Sequence, residues 1–156
     1  MRTFVLKDKL KVIIEDNALN HMYKYKPERY SYENGGVLLG KFNKNESVYI
    51  ISDVSTTNNK DKKGRNFFIR NKRQAQIIIN EFWEKSKGEI NYLGEWHTHN
   101  ETYPNPSFTD KNLVKQMLNN KNLEIKNVFM IILGRKNELY ICTIDSKKEI
   151  QQLREE

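Results

Sequence analysis

The sequence is poor in cysteine, proline and long apolar runs, and each shortage excludes a class of protein. A single cysteine, Cys142, among 156 residues rules out an internal disulfide framework and suits a reducing compartment. No apolar run approaches the roughly 18 residues that a membrane span needs, and the charged opening, residues 1–16, lacks the apolar core of a secretion signal. Three prolines and seven glycines form no linker. We therefore expect one cytoplasmic domain over residues 1–156, with no membrane contact.

Positive charge is in excess, and most of the excess comes from one segment. The chain carries 27 basic and 20 acidic side chains, a net charge of +7. Residues 60–73, which open with Lys60 and close with Arg73, hold seven basic residues against Asp61 alone. The plain interpretation is a solvated loop, and the functional one is a docking surface for an acidic partner. No recognition motif or stacking-aromatic array accompanies the segment, which argues against nucleic acid.

Apolar periodicity predicts strands that alternate with a few helices. Strands are predicted at residues 3–6, 11–14, 37–39, 48–54, 67–69, 90–99, 128–133 and 139–144, the last two as a hairpin. Helices are predicted at residues 16–25, with Asp16 or Asn17 as the cap, at 73–83, around 113–118, and in the charged tail from Lys147. This order predicts an α/β fold, a single-domain mixed β-sheet flanked by helices.

Two of the three histidines lie in one predicted strand, at a spacing that favours metal binding. His97 and His99 are two residues apart, so in a strand both side chains point to the same face. Two imidazoles on one face can ligate a single divalent metal. An isolated H-x-H pair is more often exposed or hydrogen-bonded, so the residues that follow decide between the two interpretations.

A serine and a carboxylate follow at the start of the next predicted helix. Ser107 and Asp110 fit a Ser-x-x-Asp helix cap, in which the carboxylate also favours the helix dipole. A helix start is also a rigid position from which Asp110 can meet the two histidines, and both roles can coexist. Two histidines, one carboxylate and a water form the open, catalytic type of zinc site. A non-haem iron site uses the same ligands and stays an alternative.

Several other chemical motifs are excluded by their spacing. The chain has no H-E-x-x-H sequence, and its single cysteine excludes the zinc-deaminase pattern. The run from Gly35 to Lys41 fits G-x-x-x-x-G-K, but Phe42 stands where a phosphate loop needs Ser or Thr. Glu33, which precedes this run, is either an exposed turn carboxylate or a base held beside a metal.

Together, these residues resemble the JAMM motif of the JAB/MPN metalloproteases. Glu33, His97-x-His99, seven residues and then Ser107-x-x-Asp110 match the full pattern E…H-x-H-x₇-S-x-x-D, and the order of elements suits the family over residues 5–144. The sequence around these residues is similar to that of a bacterial branch of the family. Some members of this branch act as deconjugating peptidases in mobile elements and CBASS-type anti-phage operons. The resemblance implies the JAB/MPN architecture, which is cytidine-deaminase-like.

The resemblance also implies a role for each residue of the motif. His97, His99 and Asp110 would bind Zn²⁺, with a water in the fourth position whose pKa the metal lowers to about 7. Glu33 would act as the general base and then as the general acid. Ser107 would donate a hydrogen bond to the tetrahedral oxyanion.

The implied substrate is a protein with a flexible ubiquitin-like or conjugated C-terminal tail. The bond cut in the family is an amide, commonly the isopeptide between the C-terminus of a ubiquitin-like protein and a lysine. We therefore expect a zinc-dependent isopeptidase or peptidase that acts in anti-phage defence. Two alternatives stay open: a catalytically silent MPN-type scaffold or interaction module, and a zinc hydrolase of sulfur-carrier, phage or cell-wall peptides. The presence of every motif residue favours the enzyme.

Two positions depart from the family's pattern. Asn100 follows the second histidine, where many members have proline. Glu95 stands where eukaryotic relatives have an aromatic residue, and strict alternation places it on the face of His97 and His99. Glu95 is therefore a rival base or a partner of the ligands, or else a solvated carboxylate near a sheet edge. We assign the base to Glu33.

Overall fold

Strands and helices alternate along the chain largely as the apolar periodicity predicts. The computed structural model describes residues 1–117, 126–144 and 147–156. The helices are α1 (Asp16–Tyr23), α2 (Lys72–Lys85) and α3 (Phe108–Met117). The strands are β1 (Arg2–Leu6), β2 (Leu10–Ile14), β3 (Gly35–Asn43), β4 (Val48–Val54), β5 (Lys62–Lys63), β6 (Phe68–Ile69), β7 (Asn91–Thr98), β8 (Val128–Leu133), β9 (Leu139–Ile144), β10 (Ile150–Gln152) and β11 (Arg154–Glu155). Within these ranges no helix has the length and apolar character needed to cross a bilayer.

Nine of the described strands form one mixed sheet, which confirms the predicted α/β class. Their order is β10-β9-β8-β7-β3-β4-β2-β1-β11. β2 pairs with β4 in parallel, as β7 does with β8, whereas β3 is antiparallel to both of its neighbours. β5 and β6 form a separate two-stranded hairpin. Both central strands border the motif residues. β7 carries His97, and β3 begins two residues after Glu33.

Helices cover both faces of the sheet, because its central strands are apolar on both sides. One face carries Leu38 and Trp96 and packs against α1. The other carries Val37 and Leu39, which pack against α2, while α3 packs on β8 and β9 of the same face. Continuous apolar runs such as residues 37–39 are typical of strands buried on both sides. Each such buried side chain contributes about 1.5–3 kcal/mol to folding.

The C-terminal segment forms strands, so the helix predicted from Lys147 is wrong. β10 pairs with β9 at one edge of the sheet, β11 pairs with β1 at the other, and only Leu153 separates them. Leu153 is buried, and its N–H donates to the carbonyl oxygen of Ile141 at 2.9 Å. An open sheet edge offers unpaired backbone groups, and this segment pairs with the strand at each edge. Local charge patterning does not reveal these hydrogen bonds, because both partner strands lie elsewhere in the sequence.

The predicted cap of the first helix, Asp16 or Asn17, is wrong. The residue that precedes α1 is Glu15, and it makes no side-chain capping bond. Asp16 and Asn17, the predicted caps, are occupied by tertiary contacts: Asp16 pairs with the N-terminal amine, and Asn17 Nδ2 donates to the carbonyl oxygen of Ser52 at 3.0 Å. Leu118, predicted in the helix that contains α3, lies outside the described residues.

Candidate metal centre

The two histidines meet Asp110 where β7 ends and α3 begins. Nε2 of His97 lies 3.0 Å from Oδ1 of Asp110, and Nε2 of His99 lies 3.1 Å from Oδ2. One potential ligand atom from each residue lies within 4.8 Å of the others, and all three residues are buried. The structure therefore brings together the three residues that the sequence predicts as ligands.

A bulge at Gly94 decides which face of the sheet receives the histidines. Leu93 and Trp96 both pack in the core beneath α1 although they are three residues apart, so the simple alternation of β7 is interrupted between them. The pairing of β7 with β3 skips Leu93, and Gly94 has a φ of +139°. A Cβ on Gly94 would lie 1.9 Å from the carbonyl oxygen of Phe129, so only glycine fits. Beyond the bulge, His97 points towards α3.

The start of α3 fixes the carboxylate that faces the histidines. The N–H of Asp110 donates to Oγ of Ser107 at 3.1 Å, and the N–H of Ser107 donates to Oδ2 of Asp110 at 2.7 Å. This reciprocal pair is a capping box, which confirms the predicted cap. The same carboxylate contacts both imidazoles, so capping and contact with the histidines coexist. Ser107 is exposed, and its hydroxyl keeps a proton to donate because Oγ is the acceptor here.

One nitrogen in the site lacks a hydrogen bond. Among the described residues, Nε2 of His97 is buried without a hydrogen-bond partner, although Oδ1 of Asp110 lies 3.0 Å away. A buried polar atom without a partner costs about 1–3 kcal/mol. A bound cation would satisfy this nitrogen, and two imidazoles with a carboxylate are donors that zinc accepts.

Burial and charge act in opposite directions on these groups. Burial raises the pKa of Asp110, but the contacts with His97 and His99 outweigh it and hold that pKa well below its usual range. Burial lowers the pKa of His99, but the hydrogen bond and charge of Asp110 raise it overall. Asp110 is therefore ionised at neutral pH and supplies the negative charge that a divalent cation requires.

Glu33 reaches the same site from the residues before β3. Its Oε1 lies 3.7 Å from Nε2 of His99, and the residue is 8% exposed. Burial raises the pKa of Glu33. The N–H of Glu33 donates to the carbonyl oxygen of Gly64 at 2.7 Å, and that of Asn34 donates to Oγ1 of Thr98 at 3.0 Å. Glu33 is thus a buried, anchored carboxylate beside the histidines, and not an exposed turn residue.

Glu95 lies on the histidine face, but other groups occupy its carboxylate. Nε of Arg70 donates to Oε1 of Glu95 at 2.6 Å, and the hydroxyl of Tyr92 donates to the same oxygen at 3.3 Å. Burial lowers the pKa of Arg70, but the charge of Glu95 raises it overall. Glu95 is 7% exposed, so the interpretation as a solvated carboxylate is wrong. The contacts of Arg70 and Tyr92 with Glu95 were not predictable from the sequence, since the bulge is what places Tyr92 and Glu95 on one face.

The fold and this constellation define the class of protein to which the chain belongs. Residues 15–147 match the family model described as prokaryotic homologs of the JAB domain. The chain belongs to this family, as its motif predicts. A solved structure, that of protein DSY2949 from Desulfitobacterium hafniense in solution, covers 93% of this chain and 89% of its own with a TM-score of 0.62. Because the identity is 17%, this likeness shows the fold alone.

Curated relatives of the chain share one name, CD-NTase/cGAS isopeptidase. The relative from Escherichia coli (strain TW11681) is 32% identical over 128 residues, which are 81% of this chain and 78% of that protein. The relative from Pseudomonas aeruginosa (strain BWHPSA011 / Pa011) is 37% identical over 109 residues, 70% of this chain and 66% of that protein. The relative from Vibrio cholerae (strain N16961) is 29% identical over 127 residues, 81% and 78% of the two chains.

Proposed function

We propose that this chain is a JAMM-type, zinc-dependent isopeptidase that releases a ubiquitin-like or other conjugated protein by hydrolysing an amide at its C-terminus. The JAB domain and the names of the relatives support a hydrolase, and those names support a conjugated CD-NTase as the protein substrate. The activity would belong to cytoplasmic anti-phage defence. The observation that carries the proposal is the convergence of His97, His99 and the ionised Asp110 on one point beside the buried Glu33.

His97, His99 and Asp110 would hold the metal. Two imidazole nitrogens and one carboxylate oxygen are the ligands of a catalytic zinc site that keeps one position open. Bound there, zinc would supply Lewis-acid polarisation of the amide carbonyl and an acidified water. The buried Nε2 of His97, which lacks a hydrogen bond within the described part of the chain, supports this assignment.

Glu33 would move the protons of the reaction. A carboxylate whose pKa is raised by burial is a stronger base than an exposed one. It would take a proton from the attacking water and deliver it to the leaving amine as the C–N bond breaks. The backbone hydrogen bond from Glu33 to Gly64 holds the residue in place during both transfers.

Ser107 would stabilise the negative charge that develops on the carbonyl oxygen. Its Oγ accepts the N–H of Asp110, so the hydroxyl proton is available to the oxyanion. The capping box fixes this oxygen before substrate binds. A preorganised donor of this kind contributes about 2.7–4 kcal/mol to stabilisation of the transition state.

Cleavage of a defined conjugate tests the proposal. The substrate would be a CD-NTase whose C-terminus is joined by an isopeptide bond to a lysine of a carrier protein. With one equivalent of Zn²⁺ we expect mass spectrometry to detect the two separated proteins, the CD-NTase with a free C-terminus and the carrier with an unmodified lysine. Chelation with 1,10-phenanthroline should stop the reaction and added Zn²⁺ should restore it. Zinc-loaded protein that leaves the conjugate intact would contradict the proposal and favour the silent scaffold, and restoration by Fe²⁺ alone would favour the iron site.

A further inference from the structure

A basic hairpin lies against the backbone of Glu33. This hairpin consists of β5, β6 and the turn between them. Beyond the hydrogen bond from Glu33 to the carbonyl oxygen of Gly64, Nζ of Lys63 lies 3.2 Å from Oδ1 of Asn34. The ring of Phe68 packs so closely on Gly35 that a Cβ there would meet it at 2.8 Å. A segment that is distant in sequence from the histidines therefore borders the candidate site.

Most of the positive charge around the hairpin has no counter-charge among the described residues. Asp61, the one acidic residue of segment 60–73, accepts the N–H groups of Asn58 and Asn71 with its two oxygens. Arg70 is paired with Glu95. Six exposed cations remain, and within the described residues none of them forms a salt bridge: Lys60, Lys62, Lys63, Arg65, Lys72 and Arg73. Lys63 donates to Asn34 and Arg65 lies over the ring of Tyr30, but neither contact supplies a negative charge, so all six cations can meet anionic groups of another molecule.

Exposed apolar side chains lie among these cations. Phe67 is 49% exposed and Ile69 59% exposed. Ile69 pairs with Lys62 across the hairpin, so the side chains of Ile69 and Lys62 point outward on the same face. The guanidinium carbons of Arg29 and Arg65 lie 5.2 and 5.6 Å from the centroid of the Tyr30 ring. The sequence of the basic segment indicates no aromatic array, because Tyr30 precedes that segment by thirty residues and only the fold brings it there.

We propose that this hairpin surface selects substrates that carry an acidic segment with an apolar residue close to the scissile amide. The proposal rests on the proposed function and names the substrate feature that the enzyme reads. Six uncompensated cations complement acidic side chains, and Ile69 and Phe67 complement an apolar one. Because the surface borders Glu33, we place the acidic segment in the substrate chain, close to the amide that is hydrolysed. A nucleic acid would need open aromatic faces for base stacking. Two guanidinium groups already lie over Tyr30, which leaves Phe67 as the exposed ring of the hairpin itself, and the RNA measurement below tests that alternative.

Isopeptide substrates that differ only in charge test this selection. Glutamate, glutamine or lysine would fill the positions within about five residues of the scissile bond, which span about 17 Å when extended. We expect the zinc-loaded enzyme to cleave the glutamate substrate about tenfold more efficiently (kcat/KM) than the glutamine substrate. The preference should shrink as salt rises, since about 1 M salt shortens the screening length to about 3 Å. Equal values for the two substrates at low salt would overturn the proposal.

Charge reversal on the hairpin supplies the matched variant. Lys60→Glu, Lys62→Glu and Arg65→Glu together should turn the preference towards the lysine substrate; Lys63 is left unchanged because it contacts Asn34. The control makes the same charge change at the far end of β3, through Lys7→Glu, Lys9→Glu and Lys44→Glu, and should keep the preference of the parent. Thermal melting confirms that both proteins fold. A hairpin variant that keeps the parent's preference would contradict the proposal, as would a control that loses it.

A binding measurement separates this proposal from the proposed function. If no substrate is cleaved, the isopeptidase assignment fails, but fluorescence anisotropy of a labelled glutamate-rich peptide on metal-free protein still tests the surface. We expect this peptide to bind the hairpin variant about tenfold more weakly than the parent or the control. A uridine-rich RNA that binds more tightly than the peptide would overturn the proposal and identify a nucleic-acid surface.

Discussion

Arg70 and Glu95 form an ion pair, with Nε 2.6 Å from Oε1, in which the carboxylate is buried and the guanidinium half-buried. It joins the residue before the cap of α2 to the strand carrying His97. A charge-assisted hydrogen bond of this length holds the carboxylate in one position. Glu95 therefore stabilises the scaffold, whereas Glu33 lies 3.7 Å from His99 with its pKa raised by burial. The two buried glutamates of this face should respond differently to the same substitution.

Glu33→Gln should abolish turnover and leave metal binding intact. Loss of a general acid–base group costs about 10²–10⁴ in rate, and Glu33 is not one of the three proposed ligands. The measurements are kcat on the conjugate and zinc content by elemental mass spectrometry.

Glu95→Gln is the matched control for this experiment. It should keep turnover and lose about 1–3 kcal/mol of unfolding free energy, because Arg70 would then lack its anionic partner. Near-normal turnover in Glu33→Gln together with an inactive Glu95→Gln would reverse the assignment of the base.

Removal of metal should destabilise the wild-type protein and not an Asp110→Asn variant. A ligand at one hundred times its Kd stabilises the folded state by about 2.7 kcal/mol, which is roughly 5–11 °C in Tm for a chain of this length. Asparagine keeps an oxygen for the N–H of Ser107 but removes the charge that the metal needs. Melting curves with Zn²⁺ and with EDTA give the comparison. An equal shift in both proteins would mean that Asp110 is not a ligand.

Ser107→Ala should lower both stability and turnover, for two separable reasons. Loss of the cap costs about 1 kcal/mol, and loss of an oxyanion donor lowers kcat by about 10²–10³. KM should stay unchanged, since the interaction forms only in the transition state. Ser107→Thr keeps the hydroxyl and should restore both properties. If the alanine variant loses stability alone, Ser107 is a cap and nothing more.

Gly94→Ala should destabilise the protein far more than Gly88→Ala. Both glycines have positive φ values, +139° and +83°. An added Cβ would lie 1.9 Å from a backbone oxygen at Gly94, but 3.2 Å from the side chain of Trp83 at Gly88. We expect a loss of more than about 3 kcal/mol at Gly94 and about 1 kcal/mol at Gly88. Chemical denaturation measures both, and equal losses would show that the bulge accepts a side chain.

Local pattern was sufficient for the elements that are buried on both faces and for the candidate metal ligands. The apolar run at residues 37–39 marks β3, and the spacing of His97, His99 and Asp110 marks residues that the fold then brings together. Features that depend on distant partners were not predictable. Alternation alone could not reveal the bulge at Gly94, and nothing in residues 60–73 announces their contact with Glu33. The C-terminal strands failed for the same reason, because both of their partners lie far away in sequence.

The closure of the sheet by its last two strands has a consequence for the fate of the protein in the cell. β10 and β11 cover β9 and β1, and Arg2 holds β11 through two hydrogen bonds of 2.7 Å to the carboxylate of Glu155. A premature stop or a protease cut before Ile150 would uncover both strands at once. Each uncovered strand is a template for pairing with another chain. Such a truncated molecule would be lost to aggregation and quality control although every residue of its candidate metal centre is present.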